Sequence, residues 1–304
     1  MKTLLCFFAL LIVPASCATY AQTQQVNDSL IVSTDWLAKH LTDPSVVLLQ
    51  VGEKQEYIEG HIPGAQFIQL ADISTPRGQG LTLELPTADQ LKGTYESLGV
   101  TDKSRIVIYF SKDWVTPTAR VFMSLDYLGL GDRTAILDGG LPAWKALGGQ
   151  ISTVTTNPVK GTLSIHPKKD LVVDWTWIAA HLNDARVRIL DARAPQFYSG
   201  LETGRMPRGG HIPGAKNIPF SSLVEESNNK FKSATELREL FANAQVQPNM
   251  SVATYCHIGQ QASLLYFVAR YLGYEAHLYD GSFEDWSNRR DLPVEKSQDV
   301  ESKH

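Results

Sequence analysis

The 304 residues are 43% hydrophobic and 20% charged, the balance of a foldable chain long enough for two domains at about 100–200 residues each. With 28 Lys+Arg against 32 Asp+Glu, the formal charge is −4, so no cationic stripe offsets a phosphate backbone and no nucleic-acid partner is expected. Gly 22, Pro 15 and Cys 3 exclude a collagen-like or low-complexity chain, a disulfide scaffold and a cysteine-rich zinc module.

At the N-terminus, Lys2 precedes an apolar run over 4–13, then Pro14, small residues and polar Gln22 to Gln25. This pattern predicts a secretory signal peptide over 1–21, cleaved after Ala21 or alternatively after Ala18. The run is shorter than the about 20 apolar residues of a membrane span. The mature chain is therefore expected to be exported, periplasmic or secreted, without stable membrane insertion. A competing reading makes Cys17 a lipidated N-terminus, against which Pro14 stands where an aliphatic residue is usual. Cleavage removes Cys6 and Cys17 and leaves Cys256. A solitary thiol in an oxidising compartment has no intramolecular disulfide partner; it is either buried and inert or kept for chemistry.

The rest of the chain is written twice. Gly60-His61-Ile62-Pro63-Gly64-Ala65 recurs as Gly210-His211-Ile212-Pro213-Gly214-Ala215, and Trp36-Leu37-Ala38-Lys39-His40-Leu41 as Trp177-Ile178-Ala179-Ala180-His181-Leu182. Asp138-Gly139-Gly140 with Trp144 matches Asp280-Gly281-Ser282 with Trp286, and Tyr127-Leu128-Gly129 matches Tyr271-Leu272-Gly273. Matched anchors in the same order mean two copies of one domain, assigned to 28–155 and 171–295, with a linker over 156–170 and a tail over 296–304. Because His61 and His211 occur in both copies, they are read as bracing the turn, and Trp144 and Trp286 as packing anchors. Short β-branched runs predict strands at 46–51, 105–110 and 134–137, and again at 187–192, 251–255 and 276–279. Leu264, Leu265, Val268, Ala269 and Leu272 recur at helical spacing, predicting a helix over 262–272 stopped by Gly273. The expected fold class is α/β, each copy a mainly parallel sheet flanked by helices.

Between the strand at 251–255 and the following helix runs Cys256-His257-Ile258-Gly259-Gln260-Gln261. The carboxyl end of a parallel strand facing a helix N-terminus is where this architecture places ligands. Successive backbone N–H groups curling around the sulfur, with the positive end of the helix behind them, are expected to lower the thiol pKa from about 8.5. Gly259 allows the tight curve because it tolerates positive φ.

The paired Gly-His-Ile-Pro-Gly-Ala segments, the paired Asp-Gly-x segments and a strand–Cys loop–helix unit in the second copy resemble the tandem-domain rhodaneses, over about residues 30 to 295. The resemblance implies a sulfurtransferase that carries sulfur on Cys256 as a persulfide. It implies a small anionic donor, thiosulfate or 3-mercaptopyruvate, and a cyanide or thiol acceptor, with no metal or organic cofactor. It also implies an inactive first copy. Aligning Tyr109 with Tyr255 places Phe110 opposite Cys256, a shift by one places Ser111 there, neither of them a thiol, and Gln50-Val51-Gly52 corresponds to Asp191-Ala192-Arg193.

The loop departs from the family's forms. Thiosulfate-type members often read Cys-Arg-Ile-Gly-Glu-Arg or Cys-Arg-Lys-Gly, and mercaptopyruvate-type members Cys-Gly-Ser-Gly-Val-Thr. Here His257 and Gln261 replace both basic positions, each charge-assisted bond to a dianionic donor being worth about 1.5–3 kcal/mol. His257 is expected to restore one charge below its ordinary pKa of about 6.5. Arg193, whose counterpart in the family faces the cysteine loop, is the expected anion contact, with Asp191 beside it. Ile258, Gly259, Gln260 and Gln261 are the remaining expected loop contacts. Arg205, in the longer loop of the second copy, is a candidate substrate contact, and Arg208 shares that loop; both have a competing reading as solvated charges. A phosphatase or arsenate reductase on this fold would want Cys-x5-Arg, and Ala262 stands at that position. A persulfide carrier with slow turnover stays open beside the enzyme.

Overall fold

The computed structural model describes residues 24–112 and 115–297. The predicted signal segment with Cys6 and Cys17, and most of the predicted tail, lie outside the described residues. The first copy runs β1 (Ile31–Val32), α1 (Thr34–His40), β2 (Val46–Val51), α2 (Lys54–Glu59), β3 (Gln66–Ile68), α3 (Ala88–Ser97), β4 (Arg105–Phe110), α4 (Val115–Tyr127), β5 (Thr134–Leu137) and α5 (Gly140–Ala146). The second repeats it: β6 (Val172–Val173), α6 (Trp175–His181), β7 (Val187–Asp191), α7 (Pro195–Ser199), β8 (Lys216–Asn217), α8 (Ala234–Asn243), β9 (Ser251–Tyr255), α9 (Gln260–Tyr271), β10 (Ala276–Tyr279) and α10 (Ser282–Asn288).

The strand orders are β1-β5-β4-β2-β3 and β6-β10-β9-β7-β8, and every pairing within them is parallel. Helices cover both faces, so the central strands can be apolar throughout, as Ile106 to Phe110 are. The first helix of each copy starts on a side-chain cap: Ser33 accepts from Trp36 N–H, and Asp174 from the N–H groups of Thr176 and Trp177. Helix α9 begins two residues earlier than its apolar spacing predicts, which draws Gln260 and Gln261 into its first turn.

The repeat anchors perform the same packing twice. His61 stacks on Tyr57 at 4.0 Å and His211 on Tyr198 at 3.9 Å, each with Nδ1 against that tyrosine's carbonyl. The indole N–H of Trp144 donates to Gln150 O and that of Trp286 to Pro293 O. Both histidines therefore hold turns, as their presence in both copies suggests. Across the domain boundary α4 packs on α9, with Phe122 edge-on to Phe267 at 4.7 Å, and one hydrophobic cluster draws on both copies. Asp126 of α4 bridges the boundary as well, accepting from Tyr266 Oη, Arg270 Nε and Lys168 Nζ. Among the described residues, no helix is long and apolar enough to cross a membrane.

Candidate active site

Strand β9 ends at Tyr255, and the chain turns away from the sheet at Cys256. Two contacts establish the internal equivalence: Tyr255 Oη accepts the Ile212 N–H, and Tyr109 Oη accepts the Ile62 N–H. Register agrees, since Asp191 pairs with Tyr255 while Gln50 pairs with Tyr109. Phe110 thus occupies the thiol's place in the first copy, Gly52 that of Arg193, and Gln50 that of Asp191. Gln50 is buried with neither side-chain polar atom hydrogen-bonded, where Asp191 in the second copy is paired with Arg193.

Gly259 sits at φ +85° and caps α9. A side chain there would meet Arg120 Nη1 and Asp280 O at 3.0 Å, so glycine is required by both conformation and space. The backbone N–H groups of Ala262, Ile258, Gln261 and Gly259 are turned toward the Cys256 sulfur and favour its anion. Helix α10 closes the loop from the other side. Cys256 N–H donates to Ser282 Oγ at 3.1 Å, Phe283 N–H to Cys256 O at 3.0 Å, and Glu284 N–H to His257 O at 2.9 Å.

Two electrostatic expectations are corrected. Cys256 is fully buried, and burial outweighs the four amides, leaving its thiol pKa raised rather than lowered. His257 is lowered to about 4 by burial first and by the Arg193 charge second, so it is neutral at pH 7 and supplies no cation. Its ring meets Phe197 edge-on at 4.7 Å.

Arg193 is 1% exposed. Its Nε and Nη2 grip both carboxylate oxygens of Asp191, Nη2 also donates to Gly210 O, and the guanidinium lies 4.1 Å over the Phe283 ring. It adds positive potential at the thiol, but most of its hydrogen-bonding capacity is spent on the protein. Arg205 is exposed on the turn beside His257. Arg208 donates to the carbonyls of Ser287, Leu292, Trp286 and Arg289, so it clamps the end of α10 and is not a freely solvated charge.

An interdomain cleft of about 850 Å³ opens beside the loop, between Val115 and Thr116 on one side and Gln260 and Gln261 on the other. Gln260 Nε2 donates across it to Thr116 Oγ1 at 3.1 Å. Gln261 leaves a buried Oε1 without a partner. Among the described residues, no cluster of His, Cys, Asp and Glu could hold a metal ion. Sequence reasoning read Asp280 and Ser282 only as repeat anchors and did not single out Arg120. For Ser282 a signal existed, because serine replaces the glycine of the other copy's Asp-Gly-Gly.

The sequence profile of the Rhodanese-like domain matches residues 33–147 and 174–289. The chain is 31% identical over 293 residues to the sulfur carrier protein TtuD of Thermus thermophilus, covering 90% of this chain and 99% of that one. It is 29% identical to the thiosulfate sulfurtransferase of Azotobacter vinelandii, over 88% of this chain and 97% of the relative. It is likewise 29% identical to the 3-mercaptopyruvate sulfurtransferase of Escherichia coli K12, over 89% and 99%. Among solved structures, the anaerobic ergothioneine biosynthesis enzyme from Chlorobium limicola superposes with a TM-score of 0.78 at 21% identity, covering 89% of this chain and 71% of that one; this likeness concerns the fold alone.

Proposed function

The chain belongs to the rhodanese family of sulfurtransferases, and from that premise we propose that it moves a sulfane sulfur from thiosulfate to cyanide or a thiol through a persulfide on Cys256. The observation that carries this reading is Cys256 at the end of β9, on a loop whose backbone amides favour its anion and which Ser282 and Phe283 brace, while Phe110 fills the same place in the other copy.

The Cys256 thiolate attacks the outer sulfur of thiosulfate. A new S–S bond forms, the donor's own S–S bond breaks, and its electron pair leaves with sulfite. The persulfide anion then rests where the loop amides already point, which stabilises its negative charge without reorganisation. Cyanide or a thiolate attacks the terminal sulfur, departs as thiocyanate or a new persulfide, and returns the Cys256 thiolate. Both nucleophile and leaving group are anionic, so neither step requires a general base.

Two alternatives have support of their own. The 3-mercaptopyruvate donor is supported by the Escherichia coli relative, and a slow persulfide carrier by the relative named a sulfur carrier protein. Incubation with thiosulfate should add one sulfur atom to the Cys256 peptide, and Cys256→Ser should abolish the gain without unfolding the chain. No gain from either donor would sink the sulfurtransferase reading; gain followed by slow thiocyanate formation but rapid transfer to protein thiols would favour the carrier. The charged start, apolar stretch and small-residue exit over 1–21 support export to the periplasm or beyond. A mature N-terminus at Gln22 in the secreted or periplasmic fraction is expected, against a lipid-modified Cys17 in the membrane fraction.

A further inference from the structure

We propose that Arg120, contributed by the first domain, is a positioning residue for the Cys256 loop: paired with Asp280, it fixes the turn that holds the loop and supplies a positive charge that the loop lacks. The proposal rests on the reading of Cys256 as the sulfur-carrying residue, and its test separates the two.

Arg120 lies on α4 and is fully buried. Its Nη2 donates to Asp280 Oδ1 at 2.5 Å and to Leu83 O at 2.6 Å, while Nε and Nη1 have no hydrogen-bond partner. Nη1 lies where a side chain on Gly259 would have to go. Asp280 opens the turn that leads into α10, whose Ser282, Phe283 and Glu284 bond the backbone of Cys256 and His257. A side chain of one domain thus reaches the thiol's support in the other through a single ion pair.

Internal symmetry singles this contact out. Asp138 is the counterpart of Asp280, and each accepts a backbone N–H from the opposite domain, Phe231 N–H for Asp138 and Leu85 N–H for Asp280. Counting from Tyr127 and Tyr271, the position matching Arg120 is Leu264. The helix that reaches the turn beside the cysteine loop therefore carries an arginine, and the equivalent position on the other helix a leucine. A need for interdomain adhesion alone would act on both sides equally. A buried guanidinium with two unpaired nitrogens is costly to keep for adhesion, whereas beside a loop that must carry an anion its field is useful. The other charged groups on the elements packed against the loop are Arg193 and Asp191 at the end of β7, Glu284 and Asp285 on α10, and the exposed Arg205 on the turn beside His257. His257 within the loop is neutral at pH 7.

The test is the rate of iodoacetamide alkylation of Cys256 between pH 7 and 10, read on its own peptide by mass, alongside the rate of sulfur gain from thiosulfate. Arg120→Met leaves Asp280 as an uncompensated negative charge and should slow both reactions at pH 8 by about threefold, the equivalent of about half a pH unit. Asp280→Asn keeps the cation and should speed alkylation by a similar factor. Arg120→Lys should recover at least half of the loss. Changes of the same sign in Arg120→Met and Asp280→Asn, or no change in either, would overturn the proposal, because a purely structural pair damages the loop whichever partner is removed. If Arg120→Met does not fold, the acceleration in Asp280→Asn and the near-normal rate of Arg120→Lys decide. Opposite-signed alkylation without sulfur gain would keep the positioning role and reject the sulfurtransferase reading. Sulfur gain with unmoved alkylation would do the reverse, and a wild-type Cys256 that neither reagent reaches would reject both.

Discussion

Ser282 holds a left-handed φ of +51° and accepts the Cys256 N–H, while its counterpart Gly140, at φ +55°, abuts Phe110 so closely that a side chain there would lie 2.7 Å from the ring. The two pairs are exclusive solutions to one packing problem. A bulky aromatic at the strand end demands glycine opposite; a cysteine leaves room for a hydroxyl. The hydroxyl also donates to Tyr279 O at 2.9 Å, so it ties the end of β10 to the start of the loop.

Removing that hydroxyl should therefore hurt in a residue-specific way. Ser282→Ala leaves the buried Cys256 N–H unsatisfied and keeps the left-handed backbone, so a loss of about 1–3 kcal/mol is expected. Ser282→Gly relieves the backbone and should recover part of that stability, without restoring the bond. Urea denaturation of both variants checks the order: wild type most stable, then glycine, then alanine. Equal stabilities for alanine and wild type would mean that the hydrogen bond contributes nothing net.

The state of the thiol makes a pH prediction. Burial pushes the Cys256 pKa above the ordinary thiol value, against the pull of the amides, so the thiolate is a small minority at pH 7. Sulfur gain from saturating thiosulfate should rise nearly tenfold per pH unit from 6 to 8. His257, held neutral down to about pH 4, should add no inflection near 6.5, and His257→Gln should leave that profile's shape unchanged. A plateau beginning below pH 7 would show an acidic thiol, and with it a loop more open to solvent than this one.

How much of this was legible beforehand divides along physical lines. The repeat, the parallel strands and the strand–Cys256–helix unit are local patterns, carried by residues close together in the chain, and the structure reproduces them. The sequence left Phe110 and Ser111 both open as the counterpart of Cys256, and the shared bond of Tyr109 and Tyr255 decides for Phe110. Charge states were not legible: spacing placed amides around the sulfur, yet the sign of the shift depends on how much water burial removes, and that is a tertiary quantity. Arg120 and Asp280, far apart in sequence, could meet only after the two domains packed. The clamp made by Arg208 was hidden for the same reason, since its acceptors are carbonyls of α10 and the segment after it.

Arg193 separates donor recognition from support of the loop. Its Nε and Nη2 are committed to Asp191 and Gly210, and its face to Phe283. Arg193→Ala would strand the fully buried Asp191 carboxylate, a change that typically costs about 3–5 kcal/mol. Turnover with thiosulfate and with 3-mercaptopyruvate should fall by the same factor, and Asp191→Asn combined with Arg193→Met should regain stability over Arg193→Ala. A loss confined to one donor would instead make Arg193 a direct contact of that donor.

The last prediction concerns the joint between the domains. Asp126 is buried, which pushes its carboxyl up, but Arg270 and Lys168 outweigh burial and hold it below its ordinary value of 3.8. A carboxyl with a lowered folded-state pKa adds stability that is fully present above its unfolded value and disappears as pH falls through the folded one. Asp126→Asn removes the anion while keeping the shape, and leaves Arg270 and Lys168 without their shared partner. Breaking such a buried pair typically costs about 3–5 kcal/mol; with both cations partly exposed, the lower end is expected at pH 7. The difference between wild type and Asp126→Asn should be constant from about pH 5 to 8 and shrink below about pH 4. Denaturant midpoints measured at pH 3, 5 and 7 would test it. A gap that stays the same at pH 3 would mean that the amide disturbs packing around Tyr266, and that charge has no part in the joint.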